Sequence, residues 1–169
     1  YGDTGQLGNG LTTDEPSPTW VDLGAGRTAV AVSAGNTHTC AILDDGSLKC
    51  WGDDQDGQVG DGGSNHGIYT MQLTPTLIDI GTNRTAVAVD AGAHHTCVIL
   101  ENGDVKCWGD DDYGQLGYGL SYVYQRYSPP TDPIDLGTGR TAVAISLGTQ
   151  SSCAILDNGD AKCWGSDEG

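Results

Sequence analysis

An all-β fold is predicted by three features of this 169-residue sequence: a threefold internal repeat, many glycines, and cysteine pairs that bracket short hairpins. Trp-Gly pairs begin at Trp51, Trp108 and Trp164, at spacings of 57 and 56 residues. A fixed period of this size indicates a repeat architecture in which each repeat forms one supersecondary unit. The 27 glycines and the absence of phenylalanine favour short strands and tight turns over helices.

The Trp-Gly pairs divide the chain into repeats of about 56 residues. The first repeat covers residues 1–52 and lacks its leading Trp-Gly pair, the second covers 53–109, and the third covers 110–165. Residues 166–169 have the sequence expected at the start of a further repeat. Both ends therefore fall inside a repeat, and we expect the chain to be three repeats of a continuing series.

A predicted strand precedes the cysteines of each repeat. Its sequence is TAVAV at 28–32 and 85–89, and TAVAI at 141–145. Apolar residues occupy both faces of this segment, with small alanines between larger side chains. Such a run is typical of a strand that is buried on both faces, and we expect this burial here.

A hairpin follows the first strand, with its two cysteines at the ends. In each repeat a glycine holds the third position of the turn, and these glycines are Gly46, Gly103 and Gly159. A three-residue hairpin loop needs a positive φ at that position, which glycine adopts without steric cost. The loop pairs Ile42 with Leu48 and places Cys40 directly opposite Cys50.

The opposed cysteines predict three disulfides. Repetition selects the pairs Cys40 with Cys50, Cys97 with Cys107, and Cys153 with Cys163. Directly opposed residues have Cα atoms about 4.5–5.5 Å apart, which a disulfide tolerates. The alternatives are reduced, buried cysteines and, with less support, zinc binding, because each hairpin offers only two ligands. Disulfides persist in oxidising compartments, so we predict a secreted or cell-surface protein.

The charge and hydropathy of the chain exclude two classes of partner. A formal net charge of −16 repels nucleic-acid phosphates and anionic membranes, and it favours cations or basic partners. No apolar run approaches the ~18 residues that a membrane-spanning helix needs. We therefore expect no nucleic acid among the partners and no insertion into a membrane.

No motif in the sequence predicts an enzyme. His38 and His95 each lie two residues before a cysteine, but the third repeat has Ser151 in this place. A residue at a fixed place in a repeat is more often structural than catalytic or metal-binding. We therefore expect these histidines to donate a hydrogen bond within their own repeat unit, and we predict no catalytic residue and no required cofactor.

Clusters of aspartate follow two of the Trp-Gly pairs. The clusters are Asp53, Asp54 and Asp56 in one repeat, and Asp110, Asp111 and Asp112 in the next. Calcium prefers six to eight oxygen ligands, and carboxylates beside a glycine-rich turn can supply them. The spacing does not match the twelve-residue calcium loop. The alternative to a calcium site is an acidic rim whose side chains bond to the backbone of their own turns.

The segments in which the repeats differ are candidates for binding a protein ligand. These segments cover 9–20, 61–77 and 118–133. The third contains Tyr118, Tyr122, Tyr124 and Tyr127 around Arg126, and the second contains Ile68, Tyr69 and Met71. Tyrosine and arginine are enriched at protein interfaces. The alternative is that these side chains pack their own loop onto the adjacent unit.

Asn83, Arg84 and Thr85 form a sequon for N-glycosylation, which fits a secreted eukaryotic protein. The equivalent positions of the other repeats hold Gly26 and Gly139. Asparagine tolerates the left-handed backbone conformation that glycine adopts, so the alternative is a purely conformational role.

The string HTCAILDDGSLKCWG at 38–52, preceded by TAVAVSAG and followed by GQVG, resembles the regulator-of-chromosome-condensation repeat. The resemblance covers essentially the whole chain. It implies a β-propeller, usually of seven four-stranded blades with one sequence repeat per blade. The predicted fold class is therefore all-β, with three blades that form part of a seven-bladed ring or an open array of blades.

The function that this resemblance implies depends on which members of the family are compared. The founding member is a nuclear nucleotide exchange factor that binds chromatin, but the acidic charge and paired cysteines of this chain argue against that role. The family also includes a secreted propeller that inhibits β-lactamases, which shows the fold serving as a binding surface outside the cell. Fold alone does not determine function.

Two functional hypotheses follow. The first is a non-enzymatic extracellular structural or assembly component, whose partners are other copies of itself or further repeats of a longer chain. The second is a secreted propeller that binds a protein ligand through its variable loops. A nucleotide exchange factor or chromatin binder is the third and least supported hypothesis.

Overall fold

The computed structural model describes residues 2–63, 70–119 and 125–167, which form eleven strands in three antiparallel sheets and contain no helix. The all-β prediction is therefore confirmed, and each sheet is one blade of a propeller. The part of the chain that the structure describes has no helix long and apolar enough to cross a membrane.

Blade 1 contains β1 (Ala29–Ala34), β2 (His38–Leu43), β3 (Leu48–Asp53) and β4 (Met71–Ile78), in that spatial order. Blade 2 contains β5 (Ala86–Ala91), β6 (His95–Leu100), β7 (Val105–Asp110) and β8 (Gln125–Arg126), also in sequence order. Blade 3 contains β9 (Ala142–Leu147), β10 (Ser151–Leu156) and β11 (Ala161–Gly165). Because β4 comes after the loop that follows Trp51-Gly52, a blade combines the end of one sequence repeat with the start of the next.

The hairpins have the register that the repetition predicts. Ile42 lies opposite Leu48, and each cysteine lies opposite its predicted partner in all three blades. The turn glycines have φ angles of 77°, 81° and 88°. Three disulfides join the predicted pairs, whose Cα atoms are 4.1, 4.1 and 4.0 Å apart. The disulfide prediction is therefore confirmed.

The blades pack face to face, and each blade has a forward face toward the next blade and a backward face toward the preceding one. The forward face of blade 1 contains Cys40, Ile42, Leu48 and Cys50, and all four side chains are buried against blade 2. A second buried cluster joins the forward face of blade 2 to blade 3 in the same way. The hydrophobic core is therefore divided into layers between consecutive blades rather than within one sheet.

The expectation that the first strand is buried on both faces was wrong for one position in every blade and for most of β1, which is largely exposed. Val30, Val87 and Val143 are 66%, 58% and 62% exposed. The pairing of the first strand with the second shifts register at these valines in every blade. A β-bulge leaves its extra residue outside the regular alternation of side chains. The bulged valines therefore point away from the interblade core.

A recurring hydrogen-bonded junction connects each Gly-Gln segment to the blade that follows it. In each case a tryptophan indole N–H donates to the backbone carbonyl of the glutamine. The pairs are Trp51 with Gln6, Trp108 with Gln58 and Trp164 with Gln115, at 2.9, 3.1 and 2.8 Å. The same carbonyl accepts a hydrogen bond from a hydroxyl, which belongs to Thr39, Thr96 or Ser152. Each Gly-Gln carbonyl therefore satisfies two donors of the next blade.

His38 and His95, which hold the same place in their repeats, form hydrogen bonds to the neighbouring blade. This corrects the expectation of a hydrogen bond within one repeat unit. His38 Nε2 lies 2.7 Å from Thr96 Oγ1, and His95 Nε2 lies 2.9 Å from Ser152 Oγ. Because the Thr96 hydroxyl donates to Gln58, the imidazole must donate to the hydroxyl. Both rings are fully buried, and their Nδ1 atoms have no partner within the described residues. The sequence spacing could not reveal this, because the acceptor lies in the next repeat.

A candidate protein-binding rim

The two ends of the blades differ in which loops they carry. We call the end with the loops 53–63 and 110–119 the loop rim, because these loops follow the third strands. The opposite end carries the cysteine hairpin turns 44–47, 101–104 and 157–160, and we call it the hairpin rim. The antiparallel topology places the two sets of loops at opposite ends of every sheet.

On the hairpin rim, acidic side chains are paired with the arginine of each repeat. Arg27 lies 2.8 Å from Asp45, and Arg84 lies 2.9 Å from Glu101. In blade 3 the pair is Arg140 with Asp157, at 3.4 Å. These are exposed ion pairs, so their effect on stability is small, but each one neutralises a local charge. The negative field at this end is therefore reduced.

The loop rim carries more acid than base. Its aspartates are Asp53, Asp54, Asp56, Asp61, Asp110, Asp111 and Asp112. Among the described residues, the basic side chains at this end are His94 and Arg126. The described residues of the loop rim therefore carry seven aspartates against one arginine and one histidine, which creates a negative potential at this surface.

Burial changes the pKa values of several aspartates on the loop rim. Desolvation raises the pKa of Asp54 to about 7, and it also raises the pKa of Asp53, Asp110 and Asp111. Contact with Asp56 is the largest cause that raises the pKa of His94, and the charges of Asp53 and Asp110 add to it. The cationic form of His94 is therefore favoured by the acids around it.

Two of the clustered aspartates bond to the backbone of their own turns, and the calcium site stays a prediction. Asp54 accepts a hydrogen bond from the Val59 backbone N–H at 2.9 Å, and Asp111 accepts one from Leu116 at 2.9 Å. These carboxylates stabilise the Gly-Gln turns, as the alternative interpretation proposed. Over residues 2–63, 70–119 and 125–167, no group of three or more His, Cys, Asp or Glu side chains is arranged to hold a metal ion.

A polar network holds the strand β8 against the first loop of the rim. Gln125 Nε2 donates to Asp56 Oδ1 at 2.7 Å, and the Tyr127 hydroxyl donates to Gln125. Asp56 Oδ2 also lies 3.2 Å from His94 Nδ1, in the geometry of an ion pair rather than of an aligned hydrogen bond. Asp56 therefore links elements from two blades.

A close approach of the backbone adds to this contact. Gly57 has a φ of 79°, and a Cβ at this position would lie 2.8 Å from the Tyr127 Cα atom. The Gly62 N–H donates to the Tyr127 carbonyl at 2.8 Å. Tyr127 is half-buried, so much of this predicted interface residue is used to seat its own segment.

The other predicted interface residues have different environments. Tyr118 packs against the core between blades 2 and 3, its hydroxyl accepts a hydrogen bond from the Cys107 N–H at 3.1 Å, and burial raises its pKa to about 12. The guanidinium of Arg126 lies 4.5 Å from the centre of the Tyr118 ring. Met71 is half-buried at the start of β4. Ile68, Tyr69, Tyr122 and Tyr124 lie outside the described residues, and their role stays a prediction.

Tyr113 is an aromatic residue on the loop rim that the sequence analysis did not select. Its side chain is 51% exposed, beside the exposed Asp112. It occupies the place in the third repeat that Asp56 holds in the second. A comparison of equivalent turn positions, rather than of whole loops, would have identified it.

Asn83 is exposed and has a φ of 57°, close to the 73° and 68° of the equivalent Gly26 and Gly139. Asn83 therefore adopts the same left-handed backbone conformation as the glycines in its place, as the conformational interpretation requires. The side chain is also accessible, as N-glycosylation requires. Its modification stays a prediction.

The sequence of this chain matches two models of one repeat family. The regulator of chromosome condensation (RCC1) repeat matches the chain at 29–58, 86–115 and 142–168 with one family model, and at 1–42 and 45–99 with another. The chain belongs to the RCC1 repeat family. This result confirms the resemblance inferred from the hairpin and Gly-Gln motifs.

Similar proteins include members with several cellular roles. The human E3 ubiquitin-protein ligase HERC2 is 32% identical over 168 residues, which cover 97% of this chain and 3% of HERC2. The ultraviolet-B receptor UVR8 of Arabidopsis thaliana is 33% identical over 119 residues, which cover 70% of this chain and 26% of UVR8. The chain therefore spans a small part of these relatives.

Solved structures show the same fold. Human WBSCR16 superposes with a TM-score of 0.72 at 23% identity, over 84% of this chain and 35% of that one. Prp20p of Saccharomyces cerevisiae, described with its binding properties to Gsp1p and histones, gives a TM-score of 0.66 at 23% identity, over 81% and 33%. These similarities support the assignment of the three sheets as RCC1-type propeller blades.

Proposed function

We propose that this chain is part of a protein-binding propeller, without catalytic activity, whose loop rim binds a basic segment of a partner protein. The observation that carries the proposal is the difference between the two rims. On the hairpin rim each arginine pairs with an acid of the hairpin turn, whereas the loop rim keeps an excess of aspartates beside the exposed Tyr113. Complementary charge speeds association and selects partners, and an exposed aromatic side chain supplies apolar contact.

The comparisons support protein binding as the general role of this fold. Prp20p, which shares the fold, is described as binding Gsp1p and histones. The specific partners of relatives do not transfer to this chain, which spans a minor part of each. The chemistry of the loop rim supports, as partner, a polypeptide segment rich in lysine or arginine.

We further propose that the protein functions outside the cell or on its surface. Three disulfides, one per blade, support this location because such bonds persist in oxidising compartments. The exposed sequon at Asn83 is consistent with passage through a secretory pathway.

Calorimetric titration with a lysine-rich peptide tests the binding proposal. The double variant Asp112→Asn with Tyr113→Ala should weaken binding by about tenfold or more, because it removes a rim charge and an apolar contact. A matched control, Asp79→Asn with Asp135→Asn, removes two charges from the hairpin rim. It keeps the acceptors for the Gly81 and Gly137 N–H groups. Equal weakening by both double variants would refute the loop rim as the binding surface.

A second candidate function is an extracellular structural or assembly component. What supports it is the repetition of one disulfide-stapled blade along the chain, because repeats of this kind stack on their neighbours. The molar mass of the chain in solution, measured by light scattering over a range of concentrations, tests whether it assembles.

A further inference from the structure

Lys106 is a buried cation without an anionic partner. It lies on β7 of blade 2, it is 7% exposed, and its Nζ atom donates a hydrogen bond to the Ile80 carbonyl at 3.1 Å. None of the ion pairs that the structure shows within 2–63, 70–119 and 125–167 includes this lysine. Buried charges in proteins are usually paired, because removing an ammonium group from water is costly. The Ile80 carbonyl engages one of the three N–H donors of this ammonium group.

Lys106 lines a cavity of about 360 Å³ on the hairpin rim, at the junction of blades 1 and 2. One wall is the turn 79–84, which connects β4 to β5, and the other is the segment 129–131, which follows β8. Thr82 and Thr131 are exposed residues of these walls, and each has a hydroxyl group that can donate a hydrogen bond. The cavity is therefore formed by two neighbouring blades and has a buried ammonium group among its polar atoms.

A second cation, Arg84, lies on the same turn. A Cβ placed on Gly81 would be 3.3 Å from Arg84 Cγ and 3.6 Å from Lys106 Nζ, so the two basic side chains flank one glycine. Arg84 Nη1 also lies 2.9 Å from Glu101 Oε1. The acid that lines the cavity is Asp79, which accepts the Gly81 N–H at 2.9 Å. The lining therefore has two cations and one carboxylate, and this carboxylate is bonded to the backbone of its own turn.

We infer that this cavity binds a small oxyanion of the phosphate or sulfate class, with the Lys106 ammonium group as its main donor. Hydrogen bonds from an ammonium or guanidinium group to such an anion are short and strong. Arg84, Thr82 and Thr131 supply further donors around the same space. The site is a local exception to the net charge of −16, which repels anions on average. It lies at the opposite end of the blades from the loop rim, so it is independent of the function proposed for that rim.

The equivalent lysines of the other repeats provide a matched control. A Cβ placed on Gly24 would lie 3.6 Å from Lys49 Nζ, and one placed on Gly137 would lie 3.5 Å from Lys162 Nζ. The contact of this lysine with its turn is therefore common to all three repeats, and oxyanion binding is assigned to the cavity beside Lys106. Lys49→Gln removes the same chemical group from another repeat.

Titration of the 169-residue chain with inorganic phosphate, followed by the NMR signals of the backbone amides of 79–84 and Thr131, tests the inference. The buffer has low ionic strength because salt screens the attraction, and sodium chloride at equal ionic strength is the control. We expect saturable shifts with phosphate and none with chloride. Lys106→Gln, which removes the main donor, and Thr131→Asp, which adds a carboxylate to the cavity, should each raise the dissociation constant about tenfold or more. Lys49→Gln should bind like wild type.

Glucose 6-phosphate, used as a second probe, separates the two sources of such an anion. Tighter binding than that of inorganic phosphate assigns the anion to a group on a larger molecule, and weaker binding assigns it to a free ion. Either result supports the site, provided that Thr131→Asp weakens it. Asp79→Asn should bind more tightly than wild type, because it removes the acid of the lining and keeps an acceptor for the Gly81 N–H.

Three results would overturn the inference. They are the absence of saturable shifts in wild type, wild-type affinity in Thr131→Asp, and equal weakening by Lys49→Gln and Lys106→Gln. Thr131 is exposed, so Thr131→Asp decides the question if Lys106→Gln does not fold.

Discussion

The packing of Gly60 on Trp108 is a sensitive point of the propeller. Gly60 has a φ of 85°, and a Cβ at this position would overlap the Trp108 indole, only 2.7 Å from Cδ1. Trp108 is fully buried and donates its indole N–H to the Gln58 carbonyl. The variant Gly60→Ala therefore both strains the backbone and displaces the tryptophan that joins blade 2 to the preceding segment.

The expected cost has three parts. An alanine in the left-handed region costs about 1–2 kcal/mol. Forcing the indole from its site adds an overpacking cost of about 1–3 kcal/mol, and a weakened hydrogen bond adds about 1 kcal/mol. Gly139→Ala is the matched control, because Gly139 has a φ of 68° and no neighbouring atom within 4 Å of its added Cβ. It should lose only the backbone contribution.

Denaturant unfolding under non-reducing conditions, followed by tryptophan fluorescence, measures both variants. We expect Gly60→Ala to lose about 2–4 kcal/mol more of its free energy of unfolding than Gly139→Ala, by the overpacking and hydrogen-bond contributions. Gly117→Ala should fall between them, because its neighbour Trp164 is only half-buried and can move. Equal losses for Gly60→Ala and Gly139→Ala would refute the tryptophan junction as a source of stability.

Three further predictions follow from the same geometry. Burial lowers the pKa of His95 from 6.5 to about 4, so its neutral form stabilises the fold above pH 6.5 and this contribution is lost as the pH falls toward 4. The stability advantage of wild type over His95→Asn should shrink by about 1.4 kcal/mol per pH unit in that window, and a constant advantage in thermal or denaturant unfolding would contradict this. Mild reduction should open Cys153–Cys163 before the other disulfides, because Cys163 is exposed and the other pairs are buried, and differential alkylation with mass spectrometry would show the order. Expression through a secretory pathway should add a glycan to Asn83 that Asn83→Gly lacks, and an unmodified peptide would remove this site from consideration.

The sequence predicted those features of the fold that depend on local geometry. The turn glycines and the cysteine spacing determine the hairpin register, so the disulfide pairs followed from repetition alone. The spacing of the Trp-Gly pairs identified the repeats. It did not show that β4, which follows Trp51-Gly52 in the sequence, pairs with the strands of the repeat before it. Strand assignment across a long variable loop depends on tertiary pairing, which a period in the sequence does not report.

The errors arose where a residue interacts with another blade or leaves the regular strand pattern. The bulged valines, such as Val87, have the composition of a buried strand but lie outside its alternation. The histidine bond crosses to the next blade, where spacing within one repeat gives no signal. For the aspartate clusters, composition does not distinguish a carboxylate that binds a cation from one that accepts a backbone N–H, as Asp54 and Asp111 do.

The loop rim was predicted only in part. The sequence located the acidic clusters on equivalent turns, but their lack of balancing arginines became clear only when the opposite rim was seen to pair its acids. Tyr118 was selected by composition, yet its hydroxyl bonds to the Cys107 backbone. Tyr113 was missed because a single aromatic residue within an aspartate run carries little signal.

Hydrogen exchange of the chain with and without a lysine-rich peptide shows whether the loop rim is the binding surface. Backbone amides of 53–63 and 110–119 should exchange more slowly when the peptide is bound, while the hairpin turns 44–47, 101–104 and 157–160 should be unchanged. We expect protection confined to the loop rim. Protection of the hairpin turns instead, or equal protection of both rims, would contradict the loop rim as the surface that binds a basic partner.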